Sequence, residues 1–266
     1  MKKTLIALTV AASAAVSGSA MAAWTANGAG GTVDFGGTLS PANKNTPWEV
    51  KTGNAVTGLD SAVTKGQSAV DITVNKAIPI LGIRVADVQT KVFKGYAQIS
   101  PQIDYHGAID PSTFNDSSVV MTLDISDEQG NKMGKMAVDM LAVAESSWTG
   151  ADGNAGQKSL FAAKAGDGFF GGLPTSTSNV DTNVDSPSRD IINVIDPEFT
   201  ANYNEQNGNS FAPNIEDFTD LDATYSAFYG SGIVAGKNIH ITLDSPVQGD
   251  APVTWKASLP ITVSYQ

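Results

Sequence analysis

Val119-Val120-Met121-Thr122-Leu123-Asp124-Ile125-Ser126 alternates apolar with polar residues, the period of two that sends successive side chains to opposite faces of a strand. Val119, Met121, Leu123 and Ile125 share one face, with Thr122 and Asp124 on the other. Glu128-Gln129-Gly130-Asn131 follows as turn chemistry. Met136, Val138 and Met140 then resume the alternation, so the two runs form an antiparallel hairpin. The same period appears at Val70, Ile72 and Val74, at Ile99 to Tyr105, and at Ile239, Ile241 and Leu243, which interleave with His240, Thr242 and Asp244. It returns in the last residues, where Leu259, Ile261, Val263 and Tyr265 face one way and Thr262 and Ser264 the other. Many half-buried strands separated by turns specify an all-β fold, a β-sandwich.

The stretch from about 145 to 224 breaks this rhythm. It is rich in Gly, Asn, Asp and Ser, and its apolar residues come in clumps such as Phe169-Phe170 and Ile191-Ile192. A structureless loop of that length is unusual inside a compact domain. The expectation is an inserted α+β subdomain of short helices and irregular strands, with Ser159 to Ala165 as one short helix.

The chain opens with Met1-Lys2-Lys3, an apolar run from Leu5 to Val16 and Ser19-Ala20-Met21-Ala22, the layout of a secretory signal over 1–22 with a small-x-small cleavage site. The apolar run is too short to span a bilayer, and no later stretch is apolar enough to do so. A mature chain from Ala23 has about 244 residues, room for one large or two small domains. The net charge is −11 and the cysteine count zero. Strong acidity removes the electrostatic basis for nucleic-acid binding and for adhesion to anionic lipid. An exported protein without disulfides relies on its core or on partner subunits.

No residue set argues for an enzyme, a metal or a cofactor. His240 falls on the polar face of its strand and His106 at a strand end, neither in a zinc spacing. No G-x-S-x-G elbow is present. The acidic runs Asp124 to Glu128 and Glu216 to Asp222 do not fit a calcium loop and read as solvated faces. Gly232 to Asn238 is one residue short of a phosphate loop and lacks its Ser or Thr, and reads as a turn before the Ile239 strand.

After the cleavage site comes Gly31-Thr32-Val33-Asp34-Phe35-Gly36-Gly37-Thr38-Leu39, with Val33, Phe35, Gly37 and Leu39 on one parity. This is a strand pattern at a terminus, where chains commonly fray. Two readings stand: the first strand of the sandwich, or a strand meant for a neighbouring molecule by addition to an open sheet.

With Trp24, this segment resembles the donor segment of the kappa-class chaperone–usher fimbrial subunits, Fae-type, nearly position for position. Trp48-Glu49-Val50-Lys51-Thr52-Gly53, Ser159-Leu160-Phe161-Ala162, Phe169-Phe170-Gly171-Gly172-Leu173, Tyr225 to Gly236 and Trp255 with Ile261-Thr262-Val263-Ser264-Tyr265 are similar to the family's blocks. The resemblance runs end to end and departs between Asn179 and Asp222. It implies an incomplete immunoglobulin-like β-sandwich over 41–266, with the insertion at about 145–224, completed by donor strand exchange from the 23–40 extension of another copy or a sister subunit. A periplasmic chaperone would pair with the C-terminal strand carrying Leu259, Ile261, Val263 and Tyr265. An outer-membrane usher would then carry the subunit to the cell surface in a fimbria. Gly37 would fill a pocket too shallow for a side chain and so set the register.

In this family the major subunit binds host glycans through its insertion, while minor subunits serve in assembly or capping. The aromatics Phe169 and Phe170, with Lys164 and Asp167 beside them, are the expected glycan contacts, rings for the sugar's C–H face and polar groups for its hydroxyls. A monomeric secreted lectin, with its first strand folded in cis, is the competing reading.

Overall fold

A computed structural model describes residues 46–180 and 187–266, with side-chain detail in the second stretch beginning at residue 189. The expected signal segment 1–22 and the expected donor strand with Val33, Phe35, Gly37 and Leu39 lie outside the described residues.

The hairpin read from the sequence forms the centre of the sheet. Strand β6 (Ser118–Ser126) buries Val119, Met121 and Ile125 and exposes Val120, Thr122 and Asp124. It turns through Asp127 to Asn131, where the Asp127 Oδ1 accepts the Asn131 N–H at 2.8 Å and Gly130 takes a φ of 88°, a conformation that suits glycine. Strand β7 (Lys132–Thr149) then runs 18 residues, about three times the usual strand length of 5–6. Its first half alternates in burial, but from Met140 to Ser147 every residue is buried, because in its second half both faces of the sheet are covered.

Strand β7 carries neighbours on both edges. Along one lie β10 (Thr224–Ile233) and β11 (Asn238–Leu243), which continue the same antiparallel ladder around the turn at Ala235-Gly236. Along the other lie β6 and β8 (Ala155–Ser159). The hydrogen-bonded pairings of the large sheet connect as β1-β3-β10-β7-β11-β2, where β1 is Trp48–Thr52, β2 is Ala69–Thr73 and β3 is Ile78–Val85. Short strands β4 (Phe93–Lys94) and β9 (Asn209–Ser210) extend it beside β10 and β8. A second sheet pairs β5 (Pro101–Asp104) with β13 (Thr262–Tyr265), with Val263 opposite Ile103. The two layers meet through the main core, and Tyr105 reaches across it to place its hydroxyl 2.8 Å from both the Tyr229 hydroxyl and Ser231 Oγ.

The Ser159–Ala165 helix is not formed. Leu160 N–H bonds to the Ala144 carbonyl at 2.9 Å, continuing the strand, and the Asp167 Oδ2 accepts the Ala163 and Lys164 N–H groups at 2.8 and 3.0 Å. A short acidic side chain that bonds the local backbone competes with helix in this way. The single α-helix among the described residues is instead α1 (Pro187–Ile195). Proline suits a first helical position, and Asp190 in the first turn meets the positive end of the helix dipole.

Helix α1 and the 3-10 turn at Pro197–Phe199 cover the outer face of the large sheet. Ile192, Ile195 and Phe199 bury against Leu141, Val143 and Phe228. The contact is close because Gly82 and Gly230 lie beneath it: a Cβ on Gly82 would fall 2.1 Å from the Phe199 ring, and one on Gly230 2.4 Å from Ile192. Ion pairs fasten the edges. The Arg189 Nε is 2.9 Å from the buried Glu145 carboxylate, and its guanidinium also bonds Glu205 and lies over the Tyr203 ring at 4.7 Å. Lys51 Nζ lies 2.7 Å from Asp196 and 2.8 Å from Glu198.

The remainder of the 145–224 stretch packs inward. Phe169 and Phe218 join Trp48, Phe93, Tyr225 and Tyr229 in one aromatic cluster with mostly edge-to-face contacts. The insertion therefore shares the main core, and Asn45–Gln266 forms one compact unit.

Candidate functional site

The C-terminal run determines the geometry of the site. Lys256–Ala257 (β12) pairs with Ser126 and Ile125 of β6, and β13 pairs with β5, so one edge of the run is hydrogen-bonded along both stretches. Among the described residues no strand pairs with its other edge. Leu259, Ile261, Val263 and Tyr265 are half-buried while the residues between them are exposed, as the alternation requires. Burial raises the Tyr265 phenol above its ordinary pKa.

Beside that edge lies an apolar groove of about 1360 Å³. Its floor is Ile72 of β2, Ile80 of β3, Met121 and Ile125 of β6, Met136 of β7 and Ile239 and Ile241 of β11. Leu259 and Ile261 line it from the C-terminal run; Val263 and Tyr265 lie beyond it on β13. Residues of β2 and of the connection from Gly53 to Ser68 also line it. Small-molecule pockets span about 300–1,000 Å³, so this groove is larger than such a ligand needs. Its shape, an apolar trough beside a strand edge that no described strand covers, suits an added strand, which uses backbone pairing and pockets for alternate side chains.

The four expected glycan contacts separate into two kinds. Phe169 is fully buried, stacked on Tyr229 with ring centroids 5.6 Å apart. Asp167 is 2% exposed and its carboxylate is occupied by the Ala163 and Lys164 N–H groups. Neither can meet a ligand from solvent, because both hold the insertion against the core. Lys164 is exposed, and Phe170 is half-buried in the wall of a second hollow of about 380 Å³ with Ile109, Pro111 and Asp104.

The remaining polar residues have local tasks. His240 Nδ1 lies 2.6 Å from Asp71 Oδ1 across the β11–β2 pair, both exposed, and His106 Nε2 lies 2.8 Å from Thr262 Oγ1. In the Glu216 to Asp222 run, Asp217 accepts the Thr219 N–H at 3.1 Å and Asp220 the Asp222 N–H at 2.9 Å. These carboxylates cap turns, which the spacing alone did not reveal. Among the described residues no group of three or more His, Asp or Glu is placed to hold a metal ion, and no helix is long and apolar enough to cross a membrane. Sequence reading also passed over the Gly53–Ser68 connection, which carries no alternation; the sixteen-residue gap between two strand patterns was its only signal.

Comparison with known proteins supplies the context for this groove. The family described as "Fimbrial, major and minor subunit" matches residues 1–266. The chain is similar to the K88 fimbrial protein AC of Escherichia coli, 32% identical over 292 residues, and to the K88 fimbrial protein AD, 31% identical over 296. It is 30% identical over 291 residues to the F41 fimbrial protein of the same organism, and each of these alignments covers the whole of both chains.

Proposed function

The chain belongs to the family of fimbrial major and minor subunits, whose members are structural proteins rather than enzymes, and from that premise we propose that it polymerises by donor strand exchange. The observation that carries this reading is the apolar groove beside an edge of the C-terminal run with which no strand pairs among the described residues. In the proposed assembly the sandwich is immunoglobulin-like and lacks one strand. Val33, Phe35, Gly37 and Leu39 of another copy, or of a sister subunit, enter the groove with the polar parity facing out. Before that, a periplasmic chaperone pairs with the same edge along Leu259 to Tyr265, since an apolar trough beside a strand edge is an aggregation hazard if left open. The outer-membrane usher is where one strand replaces the other, and the subunit reaches the cell surface within the fimbria.

Size-exclusion chromatography of the chain without residues 1–22, purified alone, tests the reading. A subunit with an open groove elutes as polymers or aggregates, whereas a lectin with its first strand folded in cis elutes as a monomer, and that result would refute strand exchange.

The fimbria is further proposed to attach to host-cell glycans through the insertion, with Phe170 and Lys164 at the surface of the site. Glycan-array binding by purified fimbriae is expected to fall at least tenfold with Phe170→Ala and with Lys164→Ala. Binding unchanged in both variants would remove these residues from the site, and no binding by the parent would assign the chain to the assembly or capping subunits.

A further inference from the structure

We propose that residues 54–63 are a self-cover for the groove, with Leu59 as the plug that shields its apolar floor until an incoming strand displaces it. The inference rests on the strand-exchange reading and adds to it a competitor for the groove within the same chain.

The connection from Gly53 to Ser68 leaves β1, which pairs with β3, and enters β2, which pairs with β11. At sixteen residues without regular structure it is longer than most connections in compact domains, and loops of that kind are commonly lids or binding segments. Its course follows the groove: Asn54, Val56, Leu59 and Val63 all line it. Its anchors are at the ends. Gly53 N–H bonds to the Ile80 carbonyl at 2.8 Å, and Gly66 N–H to the Val247 carbonyl at 2.8 Å. Between them, among the described residues, no backbone group from 54 to 63 makes a backbone hydrogen bond, and the one polar tether is Ser61 Oγ to the Asp71 carbonyl at 3.2 Å.

A segment held at two ends stays in place through its side chains. Val56 is 45% exposed and contributes little. Leu59 is half-buried and packs directly on the main core. Gly58 beside it has a φ of 76° with nothing within 4 Å of where a Cβ would lie, a conformation that glycine adopts at no steric cost and that turns the chain so that Leu59 packs on the core. The cover lowers the apolar surface presented by a free subunit. It also lacks the hydrogen-bonded ladder that would make it permanent, so a strand that brings both apolar side chains and backbone pairing outcompetes it.

The test uses the chain without residues 1–22, freshly refolded from denaturant at a concentration low enough to remain monomeric. Two quantities are read: fluorescence of an apolar-surface dye, and the rate at which a fluorescent peptide of residues 23–40 is captured. With Leu59→Ser, dye fluorescence is expected to rise at least twofold and capture to quicken several-fold. Leu59→Ala gives the same directions more weakly and stands in should the serine variant fail to fold, and Leu59→Met leaves both near the parent values. Slower capture with unchanged dye binding would make Leu59 a fixed wall of the groove and overturn the cover. Absence of peptide capture by the parent would refute strand exchange, while the dye signal would still decide whether Leu59 shields the floor.

Discussion

Deletion of Ala23 to Leu39 is expected to abolish fibre growth while leaving a subunit that still accepts a strand in trans. The deleted segment carries Val33, Phe35 and Leu39 on one parity, and each such side chain, when buried, stabilises by about 1.5–3 kcal/mol. Each backbone hydrogen bond of the added strand contributes a further ~0.5–1.5 kcal/mol net. None of these terms survives in the deletion, so subunits cannot link, and electron microscopy should find no fibres. The groove is built by residues 52–261 and remains. A synthetic peptide of residues 23–40, added at about a hundred times its Kd, should stabilise the truncated subunit by about 2.7 kcal/mol. For a chain of this size that is a rise in Tm of roughly 5–10 °C. A truncated subunit that is a stable monomer, with a Tm indifferent to the peptide, would show that the groove is not an acceptor.

Trp48→Ala should be the most damaging single substitution in the described core. The indole is 7% exposed, its Nε1 donates to the Ile99 carbonyl at 2.6 Å, and its ring meets Phe93, Phe169 and Phe218 at centroid distances of 4.8, 5.6 and 5.3 Å. Truncating a buried aromatic of this size costs about 3–5 kcal/mol, a large part of a typical domain's ~5–15 kcal/mol. Trp48→Phe keeps most of the packing and loses the hydrogen bond, for a cost nearer ~1–2 kcal/mol. Guanidinium unfolding of the peptide-filled subunit measures both. A loss below about 1 kcal/mol for the alanine variant would mean that the aromatic cluster is not where the strands and the insertion are joined.

Trp48 also shows how far local sequence reaches. It stands at the head of a block that the family resemblance picks out in the sequence, but its ring partners lie in β4, at Phe169 in the 145–224 stretch and in the loop before β10 at Phe218. Periodicity is a relation between residues two apart, and it says which side chains share a face without saying what covers that face.

The sequence by itself therefore determined the strand patterns at Val119 to Ile125, Ile239 to Leu243 and Leu259 to Tyr265, the hairpin turn at Glu128 to Asn131 and the all-β class. It also carried the family, since the blocks quoted at Trp48, Phe169 and Ile261 are spread over the whole chain. Tertiary structure alone decided the rest. Asp167 and Phe169 look like exposed ligand contacts in a Gly-rich stretch, yet that stretch folds back on β5 and buries them. Ile191-Ile192 looks like an irregular clump, and its β-branched residues are modest helix formers; packing against Phe228 and Val143, made possible by Gly82 and Gly230, gives the helix a place to lie. The groove exists because one edge of the C-terminal run is paired by β6 and β5 and no described strand comes to the other. What lies beside an edge is decided by which strands the chain brings to it, and no local pattern of residues encodes that.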